Sequence, residues 1–320
     1  MHYVGIDLGG TNIAVGILDE NQKIILKGST PTSVDRHYSE IIRDMALLVL
    51  RLLDEAGLSV QDVPYIGIGS PGISDRENGI LQYSNNLKFN NVPMREEMQK
   101  TIQLPIYLEN DANCAALAEG LVGAARDVED SIMVTLGTGV GGGIILGGKI
   151  FTGFNGMAGE IGHTVVEQGG EKCTCGRDGC WEAYASATAL IRQTRRAAQE
   201  DPDSAIHRLA QGNLGNINAK TAFDAMREGD ATGIKVVNQY IRYLAEGIAN
   251  MINIFQPAKI VLGGGVSKEG ETLLKPLRAV VQEIAYFGGG DVPQTRIVRA
   301  ETGNDAGIIG AGLLGVSMEK

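Results

Sequence analysis

No stretch of this chain is basic enough to track a phosphate backbone. Lys and Arg number 28 against 38 Asp and Glu, a formal net charge of −10 with the acids spread along the chain. That argues against a nucleic-acid surface, which needs a basic stripe. It also implies that a bound phosphate is held by backbone amides and a metal ion, not by a lysine cluster. A dispersed disulfide framework is missing too. Of the 4 cysteines, Cys173, Cys175 and Cys180 crowd into one short loop and Cys114 stands alone among alanines. Reduced thiols and a cytoplasmic location are expected, with Cys114 a small buried hydrophobe. The opening MHYVGIDLGGTN has no charged segment leading into a long apolar core, so no signal peptide is expected. A membrane span is not expected either. Ser131 to Gly148 carries no charge, but Gly137, Gly139, Gly141, Gly142, Gly143, Gly147 and Gly148 interrupt it, and two short strands around a turn fit better.

What is present is ordinary globular composition, 320 residues and 43% hydrophobic, long enough for two cores and two lobes. Residues 3–8 (YVGIDL) and 13–18 (IAVGIL) are β-prone runs joined by Gly9-Gly10-Thr11-Asn12, a predicted hairpin. A strand from Lys23 to Gly28 follows. Ile41, Ile42, Met45, Leu48, Val49, Leu52 and Leu53 then recur at helical spacing until Gly57. Strands are predicted at Tyr65–Gly69 and Ile106–Glu109, the second leading into an alanine-rich helix. SIMVTLGTGVGGGIILGGKI repeats the opening pattern of strand, glycine turn, strand. A long helix near Ile234–Phe255, a strand Lys259–Leu262 ending in Gly263-Gly264-Gly265, a helix–strand pair over 271–300 and a last apolar helix from about Asn304 complete the reading. Two lobes that open alike suggest a duplication at the level of the fold.

The glycine turns can bring backbone amides and threonine hydroxyls against phosphate oxygens. Asp7 offers a carboxylate where Mg²⁺ would be wanted. One such turn alone is only a tight hairpin; two of them, with a third glycine run ending a later strand, point to a nucleotide. Gly137, Gly139 and Gly142 also satisfy the dinucleotide pattern G-x-G-x-x-G. That pattern must open a helix, and Gly143-Ile144-Ile145-Leu146 reads as a strand, so a dinucleotide fold is not expected.

The most informative run is HTVVEQGGEKCTCGRDGCWE, from His163 to Glu182. It places His163, Cys173, Cys175 and Cys180 in one Gly-rich loop, the donor set of a closed tetrahedral zinc site. Glu160 and Glu182 bracket it. Acidic side chains tied to a metal loop suggest a site for a hydroxyl-rich ligand.

DLGGTN, GSPG, ENDAN, LGTGVGGGI, GEIGH, CTCGRDGCWE, LGGGV and GNDAG occur in this order nearly end to end. In them the chain resembles the ROK family (repressor, open reading frame, kinase) of sugar kinases, and most of all its bacterial glucokinases. The cysteine signature C-x-C-G-x-x-G-C-x-E, the most specific of these, is matched at every fixed position. The resemblance implies a two-lobed actin/hexokinase-like α/β fold (ribonuclease H-like) with an interlobe active-site cleft. We expect residues 1–112 plus 304–320 in a small lobe and 113–303 in a large lobe with the zinc loop. It implies Mg·ATP as donor, a homodimer, and a hexose substrate, glucose first, beside the structural Zn²⁺ read from the cysteine loop. Kinases for N-acetylmannosamine, N-acetylglucosamine or fructose are alternatives, and a non-catalytic sugar sensor is a further one. By motif, Asp111 would be the catalytic base, and Asn110, Asp111, Glu160, His163 and Glu182 would contact the sugar. Asp7, Gly9, Gly10, Thr11, Asn12, Gly137, Thr138, Gly139 and Gly264 would line the nucleotide. Each has a blander reading. Asp111 could be only a helix N-cap, Glu160 and Glu182 solvated surface acids, and His163 a metal ligand alone. One imidazole nitrogen can hold zinc while the other faces the sugar. Family members that act as repressors carry an N-terminal helix-turn-helix domain, which is not expected ahead of a chain opening at its first strand.

Overall fold

The structure, a computed structural model, describes residues 1–318. The chain divides into two compact units. The first comprises 1–133, 143–159 and the segment from Glu301 onward, and the second comprises 134–142 and 160–300.

In the first unit, β1 (Tyr3–Leu8), β2 (Asn12–Leu18) and β3 (Ile24–Pro31) form an antiparallel meander, and β1 pairs with β2 from Tyr3↔Leu18 to Leu8↔Ile13. Helix α1 (Tyr38–Glu55) returns the chain to β4 (Ile66–Ser70). The apolar stripe read from the sequence, Ile41 to Leu53, is its buried face. A detour follows that the sequence reading lacked: β5 (Ile73–Asp75), β6 (Ile80–Ser84) and β7 (Phe89–Val92) make a small separate sheet before α2 (Met94–Gln99). These strands are short and carry Asn, Asp and Ser, so alternation is too brief to stand out from loop composition.

β8 (Ile106–Asn110) closes the main sheet, whose order is β3-β2-β1-β4-β8, and runs straight into α3 (Asp111–Leu121). β1, β4 and β8 are parallel, with Asp7 opposite Gly69, Gly69 opposite Glu109, and Ser70 opposite Asn110. Their carboxyl ends therefore lie along one edge, the place where open α/β sheets bind ligands.

The uncharged segment, 131–148, holds β9 (Ser131–Leu136) and β10 (Val140–Leu146), two strands around a glycine turn as expected, and β11 (Lys149–Ile150) follows it. β10 after the glycine turn leaves no helix for a dinucleotide fingerprint. Among the described residues no helix is long and apolar enough to cross a membrane.

In the second unit a run of short helices follows the cysteine loop: α4 (Glu182–Ala185), α5 (Ala187–Glu200), α6 (Ala205–Leu209) and α7 (Thr221–Arg227). α5 to α7 close on a small core of Ala198, Ile206, Ala210, Ile217 and Ala225. The long helix α8 (Ala231–Phe255) is capped by Asp230, whose side chain accepts from Gly233 N–H. It leads to β12 (Lys259–Gly263), α9 (Glu271–Ile284) and β13 (Arg296–Arg299), the last pairing parallel with β12. The second sheet has the order β11-β10-β9-β12-β13. α10 (Ala306–Gly312) and α11 (Leu314–Met318) belong to the first unit. A methyl at Gly5 would stand 1.9 Å from Ile308 O and one at Gly67 1.8 Å from Ala311 O. Glycine there lets α10 lie against the sheet at backbone contact. The fold is the mixed α/β one expected.

Candidate active site and metal centre

In the first unit the site is built on the carboxyl edge of the parallel strands. Asp7 is the penultimate residue of β1, and burial followed by the negative charge of Asp111 pushes its carboxyl up to about 6. A methyl at Gly307, in the first turn of α10, would stand 2.7 Å from Asp7 Oδ2. The turn after β1 is held open by Gly9 N–H donating to Asn12 O at 3.0 Å and by Thr32 Oγ1 donating to Gly9 O at 2.6 Å. Thr11 and Asn12 stay exposed.

At the junction of β8 and α3, the sequence left open whether Asp111 is a helix cap. The cap is Asn110: its Oδ1 accepts from Ala112 N–H at 2.9 Å and Asn113 N–H at 3.3 Å. Its amide Nδ2 donates to Gly72 O at 3.2 Å. Asp111 is the first helical residue and accepts from Ala112 N–H at 2.8 Å. Part of its surface is open to solvent, yet desolvation by the surrounding protein dominates and raises its pKa. Behind it, Cys114 is fully buried and its thiol is driven up by burial and by Glu109, Asp111 and Asp7, so it is the inert hydrophobe expected.

Two buried carboxylates here were missed by the sequence reading. Glu109 is 2% exposed. Glu119, near the end of α3, accepts from Ala124 N–H, Glu301 N–H, Thr302 N–H and Thr302 Oγ1. It ties the chain entering the Gly303-Asn304-Asp305 turn to α3. A glutamate in an otherwise apolar stretch of α3 was the available signal.

In the second unit, the turn after β9 is closed by Gly137 N–H donating to Gly139 O at 3.1 Å, and Thr188 Oγ1 donates to Thr138 O at 2.8 Å. Gly264 follows β12 with φ +80°, and a methyl on it would lie 2.4 Å from Leu136 O. Thus Gly264 is brought beside the Gly137–Gly139 turn. Glu182 is anchored on the same turn: Oε2 accepts from Val140 N–H at 3.0 Å, and a methyl at Gly139 would stand 2.1 Å from that oxygen. Its other oxygen accepts from Thr174 Oγ1 at 3.3 Å. Glu160, by contrast, has a side chain 59% exposed, with Oε2 3.9 Å from His163 Nε2.

The donor atoms of His163, Cys173, Cys175 and Cys180 all lie within 4.8 Å of one another. Gly176 and Gly179 take positive φ to turn this loop, and Cys173 N–H donates to Arg177 O at 2.9 Å. The edges fit a metal. Cys173 Sγ to His163 Nδ1 is 3.5 Å and Cys175 Sγ to Cys180 Sγ is 3.6 Å. A tetrahedral Zn²⁺ with ordinary Zn–S and Zn–N bonds spans edges of about 3.5 Å for N···S and about 3.8 Å for S···S. Nδ1 is thus the ring nitrogen turned to the sulfurs. Trp181, fully buried, nails the end of the loop to α8: its Nε1–H donates to Tyr243 O at 2.9 Å, over Gly247. Trp181 was also missed, although it is the only tryptophan in the chain.

The expected site residues therefore fall into two groups. Asp7, Gly9, Gly10, Thr11, Asn12, Asn110 and Asp111 belong to the first unit, and the glycine turn, Glu160, His163, Glu182, Gly264 and the cysteines to the second.

Known proteins are similar to this chain in sequence and in fold. The glucokinase of Thermotoga maritima is 40% identical over 309 residues, 96% of this chain and 95% of its own length. The glucokinase of Halalkalibacterium halodurans is 39% identical over 98% of this chain and 94% of its own. Among solved structures, a ROK family glucokinase from Streptomyces griseus, in complex with glucose and AMPPNP, aligns over 100% of both chains with a TM-score of 0.81 and 33% identity. Residues 3–317 match the ROK family, and the chain belongs to it.

Proposed function

We propose that this protein is an ATP-dependent hexose kinase that phosphorylates glucose at its 6-hydroxyl. The observation that carries the reading is full-length similarity to glucokinases, one of them in complex with glucose and an ATP analogue, joined to a half-buried carboxylate, Asp111, at the carboxyl edge of the sheet.

In this reading Asp111 accepts the proton of the sugar hydroxyl as that oxygen bonds to the γ-phosphorus and the bond to ADP breaks. Its raised pKa makes it a better base than an ordinary carboxylate, provided it is ionised at the working pH. Asn110, Glu160, His163 and Glu182 take the other sugar hydroxyls. Asp7 suits Mg²⁺, which would supply charge neutralisation at the phosphates. Gly9, Gly10, Thr11 and Asn12, with Gly137, Thr138, Gly139 and Gly264, offer backbone and hydroxyl donors to the nucleotide.

Zn²⁺ on His163, Cys173, Cys175 and Cys180 would be structural, because four protein donors leave no position for a reacting water. It would fix the imidazole with Nε2 on the Glu160 side. ATP as donor and reduced cysteines both suit the cytosol. A homodimer is the family expectation, and light scattering in solution measures it.

The test is ADP release in a coupled assay across a panel of hexoses. Turnover with glucose above all others is expected. Turnover confined to an N-acetylhexosamine or to fructose would move the substrate, and no turnover with any sugar would leave a sugar sensor.

A further inference from the structure

We propose that Glu109 is a positioning residue that sets the place of Asp111, and that Arg76 holds Glu109 for this purpose. The inference rests on the reading of Asp111 as the general base.

Glu109 is the last core-facing side chain of β8 and is almost wholly buried. A carboxylate in such a place is costly unless its oxygens are matched. Here Oε1 accepts from Asn110 N–H at 2.9 Å and from Asn113 Nδ2 at 2.9 Å. Oε2 makes no aligned hydrogen bond, but Arg76 Nε lies 3.1 Å away. One side chain thus grips the backbone just before Asp111 and a side chain on the first turn after it. Asn110 grips the same turn from the opposite direction, through Ala112 and Asn113 N–H. Between them, Asp111 is left little room to shift.

Arg76 is itself held. It follows β5, and its carbonyl accepts from Arg95 Nη2 at 2.9 Å while the next carbonyl, Glu77 O, accepts from Arg95 Nη1 at 2.7 Å. The segment from Gly72 to Arg76 therefore meets the β8–α3 junction at two points, Gly72 O on Asn110 and Arg76 on Glu109. This gives the small β5–β7 sheet a role: it braces the turn that carries the base. A buried ion pair serving stability alone would need no such convergence on residues 110 to 113, and a packed apolar side chain of similar volume would serve as well.

The test compares Glu109→Gln, Arg76→Ala, Arg76→Lys, the Glu109→Gln/Arg76→Ala double variant and Asp111→Asn. Each is assayed for kcat and for KM of glucose and ATP, well below its melting temperature. Misplacing a reacting group by about 1 Å costs about 100-fold. Glu109→Gln leaves a single acceptor oxygen to serve either Arg76 or the Asn110 and Asn113 donors, so on that scale it is expected to lower kcat about 10- to 100-fold, with KM for ATP within about twofold. Arg76→Ala is expected to lower kcat in the same pattern but less, with Arg76→Lys recovering part of the loss. The double variant should be no worse than Glu109→Gln by more than about twofold, because the two act through one turn.

A purely structural role would instead lower the melting temperature while leaving kcat per folded molecule unchanged. That result, or additive losses in the double variant, overturns the proposal. Arg76 is partly exposed, so its variants keep the test available if Glu109→Gln does not fold. A fully active Asp111→Asn would overturn the base reading itself. An inactive Asp111→Asn beside a normal Glu109→Gln overturns only this inference.

Discussion

Asp7 and Asp111 are two carboxylates whose surroundings oppose their charge, and each supplies a prediction. Because Asn110 is the cap, Asp111→Asn keeps the α3 start and can still accept Ala112 N–H through its amide oxygen. Turnover should fall about 10²–10⁴-fold with sugar binding retained, measured by kcat and by glucose titration. In the native enzyme kcat should be lost as pH falls through the raised pKa of Asp111, a limb that Asp111→Asn lacks. For Asp7 the folded value of about 6 lies above the usual 3.8. The proton is therefore bound more tightly by the folded state. The stability this gives is complete below about 3.8 and is lost as pH rises through about 6. At pH near 7.5 and without Mg²⁺, Asp7→Asn should raise the unfolding free energy by about 2 kcal/mol, allowing for partial exposure, while weakening Mg·ATP. Urea unfolding of both proteins at pH near 7.5 and near 4 checks it: the gap should close in acid.

At the scale of elements, close approach of backbones decides the packing. Gly247 lets α8 pass under the indole of Trp181, and a methyl there would stand 2.0 Å from Trp181 Cε2. Gly247→Ala should therefore destabilise by about 1–3 kcal/mol through overpacking, despite alanine's better helix propensity. Since Trp181 joins Cys180 to Glu182, the same change should loosen the metal loop. A melting temperature equal to that of the parent, with unchanged zinc retention, would refute the anchoring role. The α1 stripe and the glycine hairpins were legible because each is a local pattern of several residues. The β5–β7 sheet was not, because its strands are three to five residues long and rich in turn formers.

For the whole molecule, a ligand that binds only the folded state raises its apparent stability in proportion to ln(1 + [L]/Kd). Both glucose and ATP should therefore raise the melting temperature. Chelating the metal, or Cys175→Ser, should abolish most of the glucose shift and spare most of the ATP shift, because the loop carries His163 and flanks Glu160 and Glu182. Elemental analysis of freshly purified protein should find one zinc per chain. Equal glucose shifts before and after chelation would separate the metal from the sugar site. After chelation the exposed Cys175 should take up iodoacetamide while Cys114, fully buried, should not.

By itself the sequence determined the elements whose signal is local. The hairpin glycines, the Ile41–Leu53 stripe, the strand after Gly139 and the four metal-type donors are each readable within twenty residues or so, because periodicity and turn chemistry act at that range. The family motifs added candidate roles for Asp111 and the glutamates. Tertiary structure alone decided which residues stand behind them. Glu109 meets Arg76 from 33 positions earlier, and Glu119 meets Thr302 from 183 positions later. No local pattern encodes such pairs. Burial makes an unmatched carboxylate expensive, so the fold must bring distant donors to it, and only the assembled packing shows which donors those are.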